Sequence, residues 1–540
     1  MNQLLPIKVF YNGHIYTQDT AFPIATMLVV IGDRILTVSK DDSLLDQFTG
    51  SNQQKVEKIN LNGRTVFPGF CDAHIHLNYY SSFLEQINCE TNTQQECLNL
   101  VGVQLAHTLP NHWILGHGWN HNVWQEGYGT AQQLDKISPN LPVYLTAKSL
   151  HAGWANTQAL SLAGINQNTP NPSGGVIERD ELGKPTGILF ESAMQLVERI
   201  IPKPSVAELA QSLLNAQATL IQMGITCVHD FDGIDCFKSL QILDHEQKLK
   251  IRVLKSIPFE SITTAIGLGL RSGFGNQHLR LGSIKLFADG ALGPRTAAMF
   301  QPYQGESNNL GKLFLTRDEL VEKTHQAVEN GLSLAVHAIG DRAIHEMLDG
   351  FEKLRQIEKG KSGHTSPLRH RIEHVQLLHP QDISRLAQLD MIASMQPIHA
   401  TSDMVIADRY WGERSHLAYA WKTLQEQNTC LIFGSDAPVE SPNPFWGLHA
   451  AITRQIIEGN PQPGWIPEQK ISLNEAIRAY TTNPAYAAGM ENMCGKLTAG
   501  FLADLIILDQ NPNEITPDQI YDLKPSGTIL DGEWVWRDFD

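Results

Sequence analysis

The sequence predicts an α/β protein whose main domain is a (β/α)8 barrel of the TIM type. Three observations carry that prediction. Eight short apolar runs follow one another, stretches of helical period lie between them, and glycines mark where a helix gives way to the next run. Around the barrel the sequence predicts a small β-sandwich domain built from both termini. It also predicts a large insertion after the first barrel strand.

The N-terminal segment, 1–65, reads as short strands with turn signals at Asn12-Gly13, Gly32-Asp33 and Asn62-Gly63. The C-terminal segment, 491–540, has the same character in GKLTAGFLADLIILD and GTILDGEWVW. A β-module divided between the two ends implies that the ends meet, so the barrel, 66–490, is inserted between its halves.

Barrel strands are read in TVFPGFCDAHIHL, ITCVHDF, IRVLKSIPF, SIKLFADG, LSLAVHAIG, HRIEHVQLL, MIASMQPIH and CLIFGSDAPV. Helices are read in SVAELAQSLLNAQATLIQMG, RDELVEKTHQAVENG and LNEAIRAYTTNPAYAAG, the first two stopped by Gly224 and Gly331. The gap between strands one and two far exceeds a usual connection. Residues 78–205 are therefore expected to form an insertion with structure of its own, including a strand at VYLTAKS, over the barrel mouth.

In such a barrel the chemistry sits where the strands deliver their C-terminal residues. His74 and His76 end the first run, Lys285 lies in the fourth, and His337, His374 and Asp436 close the fifth, sixth and eighth. Residues i and i+2 of a strand point to one side, so His74 and His76 can chelate one ion. Nitrogen and oxygen donors without thiolate suit zinc, with iron, manganese, cobalt or nickel as substitutes. A divalent ion lowers the pKa of bound water to about 7, and an ionised Asp436 can take the proton and pass it on. Each residue alone has a plainer reading. One histidine among 21 is more often structural than a ligand. Asp436 could cap a helix opened by Pro438, and Lys285 could pair with Asp289. Their joint placement at strand ends favours a metal site.

PGFCDAHIHL, VHAIGD, RIEHV and FGSDAPV together resemble the amidohydrolase superfamily of metal-dependent hydrolases. IKLFADGALGPRTAAM, GGVIERDELGKPTGILFE and GKLTAGFLADLIILD narrow the resemblance to its amidohydrolase family 3 branch, that of N-substituted formamide deformylase and the YtcJ-like hydrolases. The resemblance covers nearly the whole chain. It implies one or two divalent ions, zinc by expectation. His74 and His76 would hold the first, His337 and His374 the second. A carboxylated Lys285 would bridge them, and Asp436 would be ligand and general acid/base. Hydrolysis of a non-peptide carbon–nitrogen bond, amide or N-formyl, is the expected activity. The alternatives are an ester, lactone or phosphoester hydrolase on the same site, and a catalytically silent binding barrel.

The remaining candidates come from the same motifs. His151 would polarise the substrate carbonyl or bind substrate, or else serve a hydrogen-bonded structural role, and Trp119 would line the pocket, although core packing is the commoner fate of Trp. The residue after Trp119 is Asn120 where the resemblance leads one to expect an acid. Asp289 and Arg295 would anchor substrate or pair with each other. His229 and Asp230, ending strand two, would orient a ligand from behind.

With 41 basic and 57 acidic residues the net charge is −16. This argues against nucleic-acid and anionic-membrane partners. The expected partners are a small-molecule substrate and, at most, a second copy in a homodimer. Seven cysteines without a CxxC spacing fit neither a disulfide framework nor a cysteine-built zinc site. The N-terminus lacks a signal-peptide pattern, and no run approaches membrane-spanning length. The expected location is cytoplasmic.

Overall fold

The computed structural model of the protein describes residues 5–48, 50, 55–109, 112–121, 123–148, 151–360 and 368–539. The chain forms two compact units, Met1–Tyr80 with Leu209–Asp540, and Ser81–Glu208.

The larger unit contains the barrel. Eight parallel strands run in chain order: Phe70–Ile75, Ile225–Asp230, Arg252–Pro258, Leu279–Phe287, Leu334–Ala338, Arg371–His374, Ile392–Met395 and Cys430–Phe433. A parallel bridge from Ile75 to Ala437 brings the last strand back to the first. The strands are short and rich in Val, Ile, Leu and Ala, as expected where both faces are covered. Gly434 permits the closure. A Cβ there would stand 2.4 Å from His74 N and 2.7 Å from an Asp72 carboxylate oxygen. The helices Val206–Gln222 and Arg317–Glu329 end just before Gly224 and Gly331, at φ +83° and +81°, so both glycine stops fall where the sequence puts them.

Two further sheets of this unit come from the termini. One is ordered Arg34–Ser39, Met27–Ile31, Ile7–Tyr11, Val56–Asn60. The other is ordered Glu533–Arg537, Pro525–Leu530, Leu505–Leu508, Thr65–Pro68, His14–Tyr16, Ile24–Ala25. Leu505–Leu508 pairs antiparallel with Thr65–Pro68. Phe10, Ile15, Leu28 and Val66 share one core with Leu505, Ile507 and Ile529, so both ends of the chain build the same body.

Three expected elements differ. The first apolar run is two strands: Thr65–Pro68 joins the terminal sheet, and Phe70–Ile75 begins the barrel. The seventh strand stops at Met395, because Pro397 opens the helix Pro397–Trp411 and puts His399 on a helix. The expected helix from 473 onward is two, Leu473–Tyr480 and Thr482–Ala487, parted by Thr481 at φ −131°.

The smaller unit has a six-stranded sheet ordered Gly175–Arg179, Pro185–Glu191, Ala152–Ala155, Val143–Ala147, Ile114–Trp119, Ile87–Asn88. Capping boxes at Thr93 and Thr130 start its helices Gln94–Leu105 and Ala131–Ile137. Its own core gathers Trp119, Trp124 and Trp154 with Leu134, Val143 and Ile188. All seven cysteines are free thiols. Among the described residues no helix is long and apolar enough to cross a membrane.

Candidate metal centre

Barrel strands one, four, five and six and the turn after strand eight bring His74, His76, Lys285, His337, His374 and Asp436 onto the wall of one cavity of about 380 Å³. An Asp436 oxygen lies 3.5 Å from His74 Nε2 and 3.3 Å from His76 Nε2. Ligand atoms of His74, His374 and Asp436 all lie within 4.8 Å of one another. The His337 and His374 ring centroids are 4.6 Å apart. His374 and Asp436 adopt φ +76° and +61°, a backbone region costly for non-glycine residues and concentrated at functional sites. Asp436 caps no helix; the next one, Pro444–Thr453, is capped by Asn443.

Each imidazole has a fixed partner behind it. His74 Nδ1 is 2.6 Å from Glu373, His76 Nδ1 3.1 Å from Asp232, and His374 Nδ1 2.8 Å from Gln396 Oε1. His337 Nε2 is 3.0 Å from the Gly290 carbonyl. An acceptor there takes the ring N–H and leaves the other nitrogen's lone pair for the cavity. Arg371 in turn holds Glu373 through Nε and Nη2, and its Nη1 lies 2.9 Å from His229 Nδ1. His229 is thus linked by hydrogen bonds to His74 through Arg371 and Glu373. Asp230 accepts from the Leu77 amide at 2.9 Å and pairs with Lys255 at 2.9 Å. Of the acids at the end of strand two, the one that touches a site histidine is Asp232, two residues further on.

Burial keeps three of the imidazoles neutral. It pulls His74 and His337 down to about 4, with Lys285 adding to the effect, and it holds His374 well below its usual value. His76 goes the other way. Burial lowers it, but Asp232 and Asp436 together raise it to about 9. Burial opposes ionisation of Asp436 as well, yet the imidazoles around it, His74 foremost, hold its carboxyl well below the usual range. Lys285 Nζ lies 4.4 Å from the Phe231 ring centroid and 5.1 Å from that of Phe287, and burial lowers it to about 8. Four imidazoles, a carboxylate and no thiolate form a donor set that fits a divalent cation with nitrogen and oxygen preference.

The other predicted residues do not line the cavity, although Asp289 Oδ1 stands 3.6 Å from His337 Nε2. Asp289 accepts from the amides of Ala298, Ile339 and Gly340 at 2.8, 3.0 and 2.8 Å, pinning its loop to the end of strand five. It pairs with neither Lys285 nor Arg295. Arg295 pairs with Glu306 and lies over the Tyr410 ring. In the smaller unit Trp119 is fully buried and donates Nε1–H to the Leu145 carbonyl at 2.8 Å. His151, in the same unit, has Nδ1 3.1 Å from a Glu191 oxygen.

Sequence reasoning missed Glu373, Asp232, Gln396 and His399. Asp232 carried a usable signal, since it follows Asp230 at the same i, i+2 spacing as His74 and His76. Glu373 lay beside His374 in the same motif. His399 was hidden by its assignment to a strand, and its Nε2 stands 3.9 Å from Asp436 Oδ2.

A model of the amidohydrolase family matches residues 57–536. The putative amidohydrolase YtcJ of Bacillus subtilis is 31% identical over 98% of this chain and 99% of its own. N-substituted formamide deformylase of Arthrobacter pascens is 28% identical over 98% of each chain. The crystal structure of an uncharacterized metal-dependent hydrolase from Pyrococcus furiosus superposes with a TM-score of 0.77 at 30% identity, over 94% of this chain and 99% of that one. These likenesses support a hydrolase that uses a divalent metal.

Proposed function

This chain belongs to the amidohydrolase family, and from that premise we propose that it hydrolyses a non-peptide carbon–nitrogen bond of amide or N-formyl type. The observation that carries the reading is the convergence of His74, His76, His337, His374, Lys285 and Asp436 on one cavity wall. The likeness to a formamide deformylase over nearly the whole chain supports the choice of bond.

The four histidines and Asp436 are the proposed ligands of one or two divalent ions, zinc by preference. Such an ion supplies Lewis acidity, activating water near neutral pH and polarising a carbonyl. Lys285 is the proposed bridge once its neutral amine has taken up CO2 as a carbamate with loss of a proton. Burial lowers its pKa to about 8 and so raises the fraction of neutral amine that this addition needs.

Asp436 does the proton work in this scheme. Its carboxylate is held ionised by the surrounding imidazoles, so it can accept a proton from the water that attacks the carbonyl carbon. It then returns that proton to the departing nitrogen. Glu373, Asp232 and Gln396 keep His74, His76 and His374 in the orientation the site requires. His151 is retained as a group that polarises the carbonyl oxygen.

The experiment is a substrate panel on purified protein of measured metal content. N-formyl amines, N-acyl amines, esters, a lactone and a phosphoester are compared, and intact mass is read for one added CO2 on Lys285. Turnover of the amides above the other carbonyl and phosphoryl compounds is expected. Protein without stoichiometric metal, or esters turned over while every amide is spared, would sink the reading.

A further inference from the structure

Beyond the histidines the same cavity is walled by Gln376, His399, Asp403 and Glu440. His399 and Asp403 are i and i+4 on the helix Pro397–Trp411 and share a face. Gln376 follows His374 by two residues, and Glu440 follows Asp436 by four. Two carboxylates therefore reach the space next to the metal centre, carried by different elements. Asp403 accepts from the buried Tyr419 hydroxyl at 2.5 Å, which fixes one of its oxygens.

A second observation points to an occupant. Gln376 is only 4% exposed, it lines the cavity, and its Oε1 has no hydrogen-bond partner among the described residues. Proteins leave few buried acceptors without a donor, and those few call for an explanation. The two carboxylates, with the Gln376 side chain beside them, make one wall of the cavity acidic, a recess suited to a group that brings N–H donors and positive charge. Among the described residues no arginine lines this cavity, and its one lysine is Lys285, at the metal centre. Burial pushes both carboxyls, Asp403 and Glu440, upward, a cost that a bound cation would relieve. Phe287, Leu292, Ile339 and Val439 give the cavity an apolar stretch that suits a short hydrocarbon chain.

We propose that this recess binds the ammonium or guanidinium group of the substrate, so that the amides hydrolysed are N-acyl or N-formyl amines carrying a second, protonated nitrogen. This rests on the carbon–nitrogen reading above. Water adds to the carbonyl carbon, the C–N bond breaks, and the nitrogen leaves as a free amine with the proton delivered to it. The products are a carboxylate and a diamine or an amino-guanidine. Asp403, Glu440 and Gln376 bind and select; they take no part in bond breaking.

The test uses the full-length, zinc-loaded protein in two arms. The first compares kcat/KM for three amides of equal length: N-formyl-1,4-diaminobutane, N-formylpentylamine and 5-formamidopentanoate. The cation is expected to exceed the neutral amide by about tenfold or more, and added salt is expected to shrink the difference. Asp403→Asn and Glu440→Gln should each move the ratio of cationic to neutral amide toward one, mostly through KM. The second arm needs no turnover. Calorimetric titration of the native-sequence protein with n-butylguanidinium, n-butanol and n-butyrate should show saturable binding of the guanidinium alone. Equal binding of all three, or of none, overturns the proposal, as does a preference for the neutral or anionic amide. If the guanidinium binds but no amide is cleaved, the carbon–nitrogen reading fails and the recess stands. If all three amides are cleaved alike and no guanidinium binds, the recess fails and the carbon–nitrogen reading stands.

Discussion

At the N-terminal end of barrel strand three, Arg252 donates Nε and Nη2 to Asp504 at 2.6 and 2.7 Å and Nη2 also to Asp531 at 2.5 Å. At the C-terminal end of the same barrel, Lys285 and the neutral imidazoles of His74 and His374 are buried as well, and that of His337 is partly so. They line a cavity, and the carboxylate nearest them, Asp436, is itself one of the donors on its wall. Both ends hold ionisable groups out of water. The first closes them with fork-like hydrogen bonds that tie the barrel to the terminal sheet, and the second leaves donor atoms open. In a barrel of this kind the strand N-termini serve stability and the strand C-termini serve chemistry. What distinguishes the two ends is the hydrogen-bonding capacity left unused, since both hold buried ionisable groups.

Four experiments can break or sharpen that contrast. The largest effect is expected at Asp436. Asp436→Asn should lower kcat/KM by about a thousandfold, within the range for loss of a positioned acid/base group, and leave the melting temperature almost unchanged. A mutant that keeps its activity, or that fails to fold, would erase the distinction between the ends. Next comes Arg252→Ala, which takes the guanidinium from the buried Asp504 carboxylate and leaves the half-buried Asp531 with His278. It should cost about 3–5 kcal/mol in stability by chemical denaturation, with kcat of the folded fraction preserved. An active-site defect without loss of stability would place Arg252 on the wrong side of the comparison.

Glu373→Gln should weaken metal affinity by about 10- to 100-fold in a chelator competition, because the amide no longer fixes the His74 N–H. An unchanged affinity would mean that Arg371 and Glu373 form a structural pair only. The smallest effect concerns pH. Burial opposes ionisation of Asp531, but His278 and Arg252 hold its carboxyl down at about 2, below the unfolded value of about 3.9. A depressed carboxylate adds stability that is fully present above about pH 4 and is lost as pH falls toward 2, about 2 kcal/mol in all. Melting temperatures of the native sequence and Asp531→Asn should therefore differ at pH 6, and the gap should narrow to less than half by pH 2.5. A constant gap across that range would show that the ion pair does not carry the dependence.

Much of the site was legible because barrel strands deliver residues in a fixed place. His74, His76, Lys285, His337, His374 and Asp436 all end or follow short apolar runs, and all six line one cavity. The insertion was legible as a length anomaly, and its strand Val143–Ala147 as an apolar run. Its other strands, such as Ala152–Ala155 and Gly175–Arg179, are short and glycine-containing, too weak to show as alternation. Trp119 shows the limit of reading a residue type. Indole suits a pocket or a core equally well, and here its N–H is already taken by Leu145.

By itself, then, the sequence determined the barrel, the shared body of the two termini and six side chains that line one cavity. Local periodicity and strand-end position carry that information within a few residues. Only the tertiary structure decided which partners stand behind those side chains, because Glu373 and His74 are separated by 299 positions along the chain and by 2.6 Å in space. The same holds for the acidic recess. Asp403 reaches it from a helix and Glu440 from the turn beyond strand eight, and no spacing along the chain relates them. Burial did the rest: it made histidines neutral, lowered a lysine and raised two carboxyls, all by removing water from groups whose neighbours no local pattern specifies.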